Sequence, residues 1–239
     1  MMYLYSGTPG SGKSLDCARM IYYTLKRKKP VICNFEINTT YVSNPELFTY
    51  KENEELTPEF LMKYSAEYFK DSGVKEGQIT VIIDECQMLF NSRDWAKADR
   101  AGWNKFFQIH RHFGYDIVLI SQFDRMIDRQ IRSLIEYEII HRKVSNFGWK
   151  GKFLCVLAFS PKLFVRVKMW YPMKERVDSQ YFKAHKKFYR IYDTFKLSFD
   201  ANKEEVKEQK KCTILPPVSK TGGEIICNIS DQNIVTENE

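Results

Sequence analysis

The sequence predicts an α/β fold in which helices cover both faces of a mostly parallel sheet. Short apolar runs that indicate buried strands alternate with helical segments, which is the pattern of βαβ crossovers. A glycine-rich loop follows the first run at residues 7–14, and a pair of acids follows a later run at residues 84–85. With 239 residues, of which 44% are hydrophobic, the chain is long enough to bury a core of this kind.

The first half of the chain supplies the first strands and two helices. A strand is predicted over 2–6, and a helix follows the glycine-rich loop and ends near Arg27. Pro30 separates this helix from a short buried strand over 31–34, whereas the polar stretch 35–57 indicates a loop. Thr57 and Pro58 begin the next helix with a capping hydroxyl and a proline in the first turn, and Gly73 closes it.

The second half continues the alternation of strands and helices. Strands are predicted over 79–84, 116–121 and 137–141, with helices over 103–112 and 128–135. Two further strands, over 152–159 and 163–171, are separated only by residues 160–162, a linker short enough for an antiparallel pair. A helix is expected over 179–189. The prediction is therefore a mostly parallel sheet with an added antiparallel strand pair near residues 152–171.

The glycine-rich loop has the spacing G-x-x-x-x-G-K-[ST], which is typical of P-loop NTPases. Its glycines allow successive backbone N–H groups to point inward at a phosphate. Lys13 provides a cation for the β- and γ-phosphates, and the hydroxyl of Ser14 provides a ligand for Mg²⁺. The helix that begins near Lys13 directs its positive end at the same anion. We predict that ATP binds at Gly7, Thr8, Pro9, Gly10, Ser11, Gly12, Lys13, Ser14 and Leu15.

The acidic pair completes the predicted catalytic site. Asp84 stands at the carboxyl end of a buried strand, where a carboxylate can hold Mg²⁺ together with Ser14. Glu85 follows directly and suits the activation of an attacking water. Gln122 ends the next buried strand, and its amide can contact the γ-phosphate or orient the water. The adjacent glutamate favours a hydrolase over a small-molecule kinase, whose acceptor is a second substrate.

Several arginines could contribute a cation to the transition state from a neighbouring subunit. We favour Arg93 and Arg132 for this role. The predicted catalytic residues are therefore Glu85, Lys13, Gln122, Arg93 and Arg132.

The positive charge of the chain is concentrated near its end. The net charge is +7, but residues 141–190 alone carry thirteen Lys or Arg against two acids, and residues 200–239 carry a net charge of −3. We predict an ATPase domain over 1–198, with a basic, aromatic-rich segment over 141–190, and a mobile C-terminal tail over 199–239. No apolar run is long enough for a transmembrane segment or resembles a signal peptide, and six scattered cysteines indicate a reducing, cytoplasmic environment.

Eleven aromatic residues interleave with the cations of the segment 141–190. Cations that meet phosphates and rings that stack on bases are what binding to single-stranded DNA requires. On the strand over 163–171, one face would present Phe164, Arg166, Lys168 and Trp170. An anionic membrane surface or a coat-protein partner is an alternative, because it attracts the same residue types. A solvated basic face whose aromatic residues are buried is another.

Several motifs together resemble those of the zonula occludens toxin (Zot) family, the assembly ATPases of filamentous phages. They comprise the loop 7–14, the run 81–87, Asn91-Ser92-Arg93, the stretch 110–117 that leads into Ser121-Gln122, the run 127–132, and Tyr192-Asp193-Thr194. The similarity covers about residues 1–198. The order of the acidic pair, His110-Arg111-His112 and Gln122 is more specific than the loop alone.

The resemblance implies an ATPase in the bacterial host cytoplasm, at the cytoplasmic face of the inner membrane. It implies that a homo-oligomeric ring drives extrusion of phage single-stranded DNA, together with other phage assembly proteins. Lys13 and Ser14 would hold phosphate and Mg²⁺, and Asp84 and Glu85 would carry out hydrolysis. Many members continue into a membrane-spanning helix and an external domain; we expect neither in these 239 residues, either because another protein supplies the anchor or because the chain is a truncated form. Two alternatives remain, a non-enzymatic ATP-binding scaffold and a small-molecule P-loop kinase.

Overall fold

The computed structural model describes residues 1–93, 99–160 and 162–192. Within them the strands are β1 (Met2–Ser6), β2 (Val31–Cys33), β3 (Phe48–Tyr50), β4 (Ile79–Ile83), β5 (Tyr115–Ile120), β6 (Tyr137–Lys143), β7 (Leu163–Trp170) and β8 (Glu175–Lys183). The α-helices are α1 (Lys13–Lys26), α2 (Pro58–Tyr68), α3 (Arg100–Ile109), α4 (Arg129–Arg132), α5 (Gly148–Leu157) and α6 (Lys186–Ile191).

The strands form one eight-stranded sheet in the order β3-β2-β4-β5-β1-β6-β7-β8. Every pairing from β3 to β6 is parallel, whereas β7 is antiparallel to both β6 and β8. Strand β5 lies between β1 and β4, so the segments that leave these three strands meet at one edge of the sheet. This edge is where an α/β sheet usually binds its ligand.

Two hydrophobic cores lie on opposite faces of the sheet, because neighbouring residues on a strand point to opposite faces. On β1, Leu4 belongs to the core that contains Phe106 and Phe107 of α3, and Tyr5 belongs to the core that contains Ile21 of α1. Burial of each such large apolar side chain contributes about 1.5–3 kcal/mol. The predicted α/β fold, with helices on both faces of a mostly parallel sheet, is confirmed.

The start of α2 shows how local chemistry sets the helix boundaries. The hydroxyl of Thr57 accepts a hydrogen bond of 3.2 Å from the backbone N–H of Phe60, and Pro58 occupies the first turn. Both features were expected from the sequence.

The strand predicted over 152–159 is wrong, because α5 occupies most of these residues. Seven consecutive apolar residues, 153–159, fit a buried strand or a helix equally well by periodicity. Helical spacing places Gly151 and Cys155 on one side, where they are buried beside Val144 and Leu163. A Cβ at residue 151 would collide with the carbonyl oxygen of Val144, so this packing needs the glycine. The antiparallel pair exists further along the chain, as β7 and β8.

Several other boundaries differ from the sequence prediction. Helix α3 covers Arg100–Ile109, whereas a helix was predicted over 103–112. The first half of the helix predicted over 179–189 is the end of β8, and only α6 is helical. Most of β8 is exposed, so its strand structure depends on its backbone pairing with β7 and has no apolar alternation that the sequence could reveal. Helix α4 is shorter than the predicted 128–135, and the loop predicted over 35–57 includes the edge strand β3.

The predicted tail over 199–239 lies outside the described residues. Over the part of the chain that is described, no helix combines the length and apolar content needed to cross a bilayer.

Candidate active site

The phosphate loop between β1 and α1 depends on backbone conformations that favour glycine. Gly7, Gly10 and Gly12 have φ values of 139°, 71° and 100°. The backbone N–H of Ser11 donates a hydrogen bond of 3.1 Å to the carbonyl oxygen of Thr8 and closes the loop. The side-chain restriction on positive φ explains why the motif needs glycine at these positions.

Two of these glycines also pack closely against neighbouring strands. A Cβ at Gly7 would lie 2.5 Å from the carbonyl oxygen of His141 on β6. A Cβ at Gly12 would lie 2.7 Å from Cδ1 of Phe164 on β7. Gly10, by contrast, has nothing within 4 Å of its Cβ position. The loop is therefore fixed against β6 and β7, with its open side at Gly10.

The start of α1 leaves backbone donors available for an anion. Gly12 is the N-cap and provides no side chain to accept from the first N–H groups, which include those of Ser14 and Leu15. The hydroxyl of Ser11 is buried without a hydrogen-bond partner in the described part of the chain. Unpaired donors at the positive end of a helix fit a phosphate group.

The structure brings Lys13 together with the predicted acidic pair. The Lys13 ammonium donates a hydrogen bond of 2.6 Å to the carbonyl oxygen of Gly7, which holds it at the loop. Burial lowers the pKa of Lys13, and the carboxylates of Asp84 and Glu85 act in the opposite direction. The site therefore combines one cation with two anions beside a set of backbone donors.

Asp84 is fixed by contacts from three parts of the chain. Its backbone N–H donates a hydrogen bond of 2.7 Å to Oδ1 of Asn34, and the Asn34 amide donates one of 2.9 Å to the Asp84 carbonyl oxygen. Its Oδ1 accepts from the Glu85 backbone N–H at 2.8 Å, and its Oδ2 accepts from the Tyr192 hydroxyl at 2.7 Å. Burial raises the pKa of Asp84, while these two hydrogen bonds lower it.

Glu85 adopts a strained backbone conformation next to Asp84. It has a φ of 46°, and its exposed side chain accepts a hydrogen bond from the Gln87 amide. A left-handed conformation of a residue other than glycine costs about 1–3 kcal/mol and is often found at functional sites. The strain turns the chain sharply after β4, so that Glu85 leaves the sheet at the edge where the loop lies.

Gln122 lies beside the phosphate loop. The backbone N–H of Ser121 donates a hydrogen bond of 3.0 Å to the Tyr5 carbonyl oxygen, which joins the ends of β5 and β1. Gln122 lines a cavity of about 250 Å³ together with Gly7 and Thr8. Because β5 lies between β1 and β4, Gln122 leaves the sheet between the strand that precedes the loop and the strand that precedes the acidic pair.

The two predicted arginines lie away from this cavity, whose lining among the described residues includes neither of them. Arg93 is exposed, and its backbone N–H donates to the Asn91 side chain at 2.9 Å. Arg132 is partly buried on α4, where its charge lowers the pKa of Tyr171, in opposition to the larger effect of burial. Among the described residues, the lining of this cavity does not include Lys13, Asp84 or Glu85 either. The structure therefore places Gln122 beside Gly7 and Thr8 of the loop, and it places Lys13 close enough to Asp84 and Glu85 for both carboxylates to affect its pKa.

An ionic cluster behind the loop was not predicted from the sequence. Asp16 on α1 is 1% exposed, and its Oδ2 lies 3.1 Å from His141 Nε2 and 3.2 Å from an Arg166 guanidinium nitrogen. Burial alone would raise the pKa of Asp16, but His141 and Arg166 hold it below its ordinary value. The only sequence signal was an acid three residues after Lys13, within an apolar helix. The contacts of Asn34 and Tyr192 with Asp84 were not predicted from the sequence either.

The cluster changes the interpretation of the basic, aromatic segment. Phe164 is buried and cannot stack on a base, and Arg166 is paired with Asp16. Lys168 lies 3.8 Å from the ring of Tyr137. Of the strand face predicted to contact DNA, only Trp170 presents an exposed ring.

Among the described residues, no three His, Cys, Asp or Glu side chains cluster in a way that could hold a metal ion by themselves. The donors available near the loop are the Ser14 hydroxyl and the Asp84 carboxylate. Hydroxyl and carboxylate oxygens suit Mg²⁺, which usually takes few protein ligands and shares the rest with phosphates and water. The residues present therefore fit a nucleotide-bound magnesium.

The loop, the acidic end of β4 and the strand order β4-β5-β1 define the fold as that of a P-loop NTPase. The chain belongs to the Zot family: the family model described as zonular occludens toxin (Zot) matches residues 1–196. The family predicted from the motifs is thus confirmed.

Curated relatives come from phages. The chain is 25% identical over 147 residues to the Gene 1 protein of Enterobacteria phage I2-2, a match that covers 59% of this chain and 39% of that protein. It is 23% identical over 153 residues to the Gene 1 protein of Escherichia phage If1, with 61% and 42% covered. The chain therefore spans less than half of the length of these relatives.

The crystal structure of the N-terminal domain of zonular occludens toxin from Neisseria meningitidis has the same fold. It matches with a TM-score of 0.51 and 19% identity, over 80% of this chain and 98% of that domain.

Proposed function

We propose that this chain is an ATP-hydrolysing motor that drives assembly of a filamentous phage and extrusion of its single-stranded DNA at the host inner membrane. Membership of the Zot family and similarity to phage Gene 1 proteins support the biological role. The P-loop NTPase fold supports ATP hydrolysis as the reaction. We assign residues 1–198 to the motor domain and 199–239 to a tail.

The observation that carries the proposal is that the phosphate loop follows β1 and the acidic pair follows β4, two parallel strands on either side of β5. The two carboxylates are near enough to affect the pKa of Lys13. The loop amides and Lys13 would bind the triphosphate, and Ser14 and Asp84 would hold Mg²⁺. ATP supplies the phosphoanhydride bond that is broken, and magnesium neutralises charge on the phosphates.

The remaining residues would act on the attacking water. Glu85 would accept a proton from it at a carboxylate oxygen, and the Gln122 amide would orient it by accepting and donating hydrogen bonds. The Asn34 contacts and the Tyr192 hydrogen bond fix the neighbouring Asp84, so that the acidic pair is held in place before substrate binds.

We further propose that the motor works as a homo-oligomeric ring. The exposed position of Arg93 suits a cation that is offered to the site of a neighbouring subunit. Arg132 fits this role less well, because it is partly buried and its charge acts on Tyr171 of its own chain. Single-stranded DNA and other phage assembly proteins are the proposed partners, and the cytoplasmic face of the inner membrane is the proposed location.

Phosphate release from Mg-ATP, with and without single-stranded DNA, tests this function. The Glu85→Gln variant should bind ATP as the wild type does and should release phosphate at least about 100-fold more slowly, because it lacks a general base. Glu67→Gln serves as the control and should keep full activity, because Glu67 is an exposed acid that lies on α2, outside the proposed site.

The alternatives predict other results. A scaffold that binds ATP without hydrolysis would show no turnover in the wild type. A small-molecule kinase would form ADP only when an acceptor is supplied, and the phosphoryl group would go to that acceptor instead of appearing as free phosphate. Either result would contradict the motor proposal.

A further inference from the structure

Helix α5 is apolar on two opposite sides. One side packs onto the body of the protein through the buried residues Gly151 and Cys155, with Leu154 and Ala158 beside them. Helical geometry places the next apolar group on the opposite side, because residues spaced i, i+4, i+7 and i+8 share one face. That group consists of Trp149, Phe153, Val156 and Leu157.

These four side chains are unusually exposed for their size. Their exposed fractions are 74%, 64%, 72% and 64% in that order. Phe159, just beyond the helix, is 95% exposed, and Phe147, just before it, is 47% exposed. Scattered apolar side chains are common on protein surfaces, but a continuous apolar stripe marks an interaction surface. We call residues 147–159 the α5 patch.

The charges that flank the α5 patch along the chain are all positive. At 100° per residue, Lys150 and Lys152 lie on either flank of the apolar stripe, and Lys143 and Lys162 lie just outside the patch. No aspartate or glutamate occurs between Glu138 and Glu175. An apolar stripe that is bordered by lysines and contains Trp and Phe is the arrangement of helices that lie in the interface of an anionic bilayer.

We propose that the α5 patch inserts into the surface of an anionic lipid bilayer. The apolar side chains would enter the boundary between headgroups and acyl chains, and the flanking lysines would remain among the phosphates. The inference extends the proposed function, which places the chain at the inner membrane, but it depends on a different surface and needs no ATP hydrolysis.

The composition of the patch favours lipid over other partners. Single-stranded DNA stacks on aromatic rings, but it offers little to the aliphatic side chains of Val156 and Leu157 at the centre of the stripe. A second copy of the chain would bring another set of lysines against the first, and like charges repel. A bilayer with acidic headgroups satisfies the apolar and the basic residues together.

Helix α5 lies at the edge of the sheet that carries the phosphate loop, because it joins the carboxyl end of β6 to the start of β7. Membrane contact at this edge would orient the nucleotide site relative to the bilayer.

Co-sedimentation of the full chain with vesicles tests the proposal. The wild type should bind vesicles of phosphatidylglycerol and phosphatidylethanolamine and should bind neutral phosphatidylcholine vesicles much more weakly. The double variant Phe153→Ser/Leu157→Ser should lower the affinity by about tenfold or more. Met173→Ser/Val177→Ser is the matched control, since these residues are 64% and 56% exposed away from the patch and share the same spacing. It should bind as the wild type does.

A charge variant separates the electrostatic attraction of the lysines from the insertion of the apolar side chains. Lys150→Glu/Lys152→Glu should weaken binding to the anionic vesicles, and added salt should weaken binding of the wild type. ATP turnover in solution should be the same in all these variants, because none of the residues belongs to the nucleotide site. A variant that loses vesicle binding but keeps its ATP turnover therefore tests the role of the α5 patch independently of the proposed function.

Quenching by brominated lipids reports insertion directly. Trp149 should be quenched in vesicles whose acyl chains carry bromine, and Trp149→Phe should remove most of this quenching while binding persists. Trp170→Phe, which changes a tryptophan on β7 that is 41% exposed, should leave the quenching in place.

Three results would overturn the proposal. They are an absence of vesicle binding by the wild type, equal binding by Phe153→Ser/Leu157→Ser and the wild type, and quenching that is insensitive to Trp149→Phe. A loss of self-association or of DNA binding in Phe153→Ser/Leu157→Ser, with vesicle binding unchanged, would instead assign the patch to a second copy or to nucleic acid.

Discussion

The hydroxyl of Tyr192 donates a hydrogen bond of 2.7 Å to Oδ2 of Asp84 and so connects the end of α6 to the acidic end of β4. Tyr192 is buried, and its ring packs against Phe35 with a centroid separation of 4.5 Å. Burial and the nearby Asp84 carboxylate raise the pKa of Tyr192, which keeps the phenol protonated as a donor. A residue more than a hundred positions away in sequence thus fixes one oxygen of the proposed magnesium ligand.

Tyr192→Phe should reduce ATP turnover while leaving the fold intact. A hydrogen bond to a charged group contributes about 1.5–3 kcal/mol, so kcat/KM should fall by roughly 10- to 100-fold. The measurement is steady-state phosphate release at several magnesium concentrations. Tyr189→Phe, on the exposed side of α6, should retain wild-type activity; equal activity of both variants would show that Asp84 does not need this donor.

Gly12→Ala and Gly10→Ala should differ in severity. Both need a positive φ, which costs a residue with a Cβ about 1–2 kcal/mol. Only Gly12→Ala also forces a Cβ to within 2.7 Å of the Phe164 ring. Urea unfolding should therefore show a larger loss of stability for Gly12→Ala, and ATP binding should weaken more. The same loss in both variants would mean that the Phe164 ring moves aside at little cost.

Asp16→Asn should destabilise the protein by about 3 kcal/mol at neutral pH, because it leaves the buried His141 and the partly buried Arg166 without their carboxylate. The pKa of Asp16 is lowered from its ordinary 3.8 in the folded state. Its contribution is therefore fully present well above pH 3.8 and is lost as the pH falls through the lowered pKa. Urea unfolding of the wild type and of Asp16→Asn should be measured as a function of pH. The difference between their free energies of unfolding should become smaller only in acid. A constant difference down to the lowest pH would contradict this assignment.

Mixing of two inactive variants tests whether Arg93 acts across a subunit interface. Arg93→Ala lacks the proposed cation, and Glu85→Gln lacks the base. In a mixed ring, a Glu85→Gln subunit can offer its intact Arg93 to the intact site of an Arg93→Ala neighbour, so part of the activity should return. Arg132→Ala mixed with Glu85→Gln should show no such gain. If neither mixture gains activity, the arginine does not act from a neighbouring subunit.

The sequence predicted the parts of this protein whose signals are local. The glycine spacing of the loop, the acids at the end of β4 and the capping of α2 by Thr57 each depend on a few adjacent residues. The contacts of Asn34 and Tyr192 with Asp84 depend on the strand order and on where α6 packs, and a single sequence does not contain that information. The Asp16–His141–Arg166 cluster was missed for the same reason, since it joins α1, β6 and β7.

The errors around residues 148–189 have a different cause. Helix α5 shows apolar residues on both sides, so its sequence lacks the amphipathic period by which helices are recognised. Strand β8 shows no apolar alternation, because both of its faces are largely exposed. Prediction failed at these two elements because most of the surface of each is exposed, so burial does not impose a regular apolar period on either sequence.

The contact of Gly12 with Phe164 has a mechanical consequence. The phosphate loop packs directly against β7, and the space between Gly12 and the Phe164 ring is too small even for a Cβ atom. A change in the position of the loop at Gly12 would therefore require the Phe164 ring on β7 to move with it. Strand β7 follows α5 in the chain, so the α5 patch and the nucleotide site share a direct neighbour in the fold.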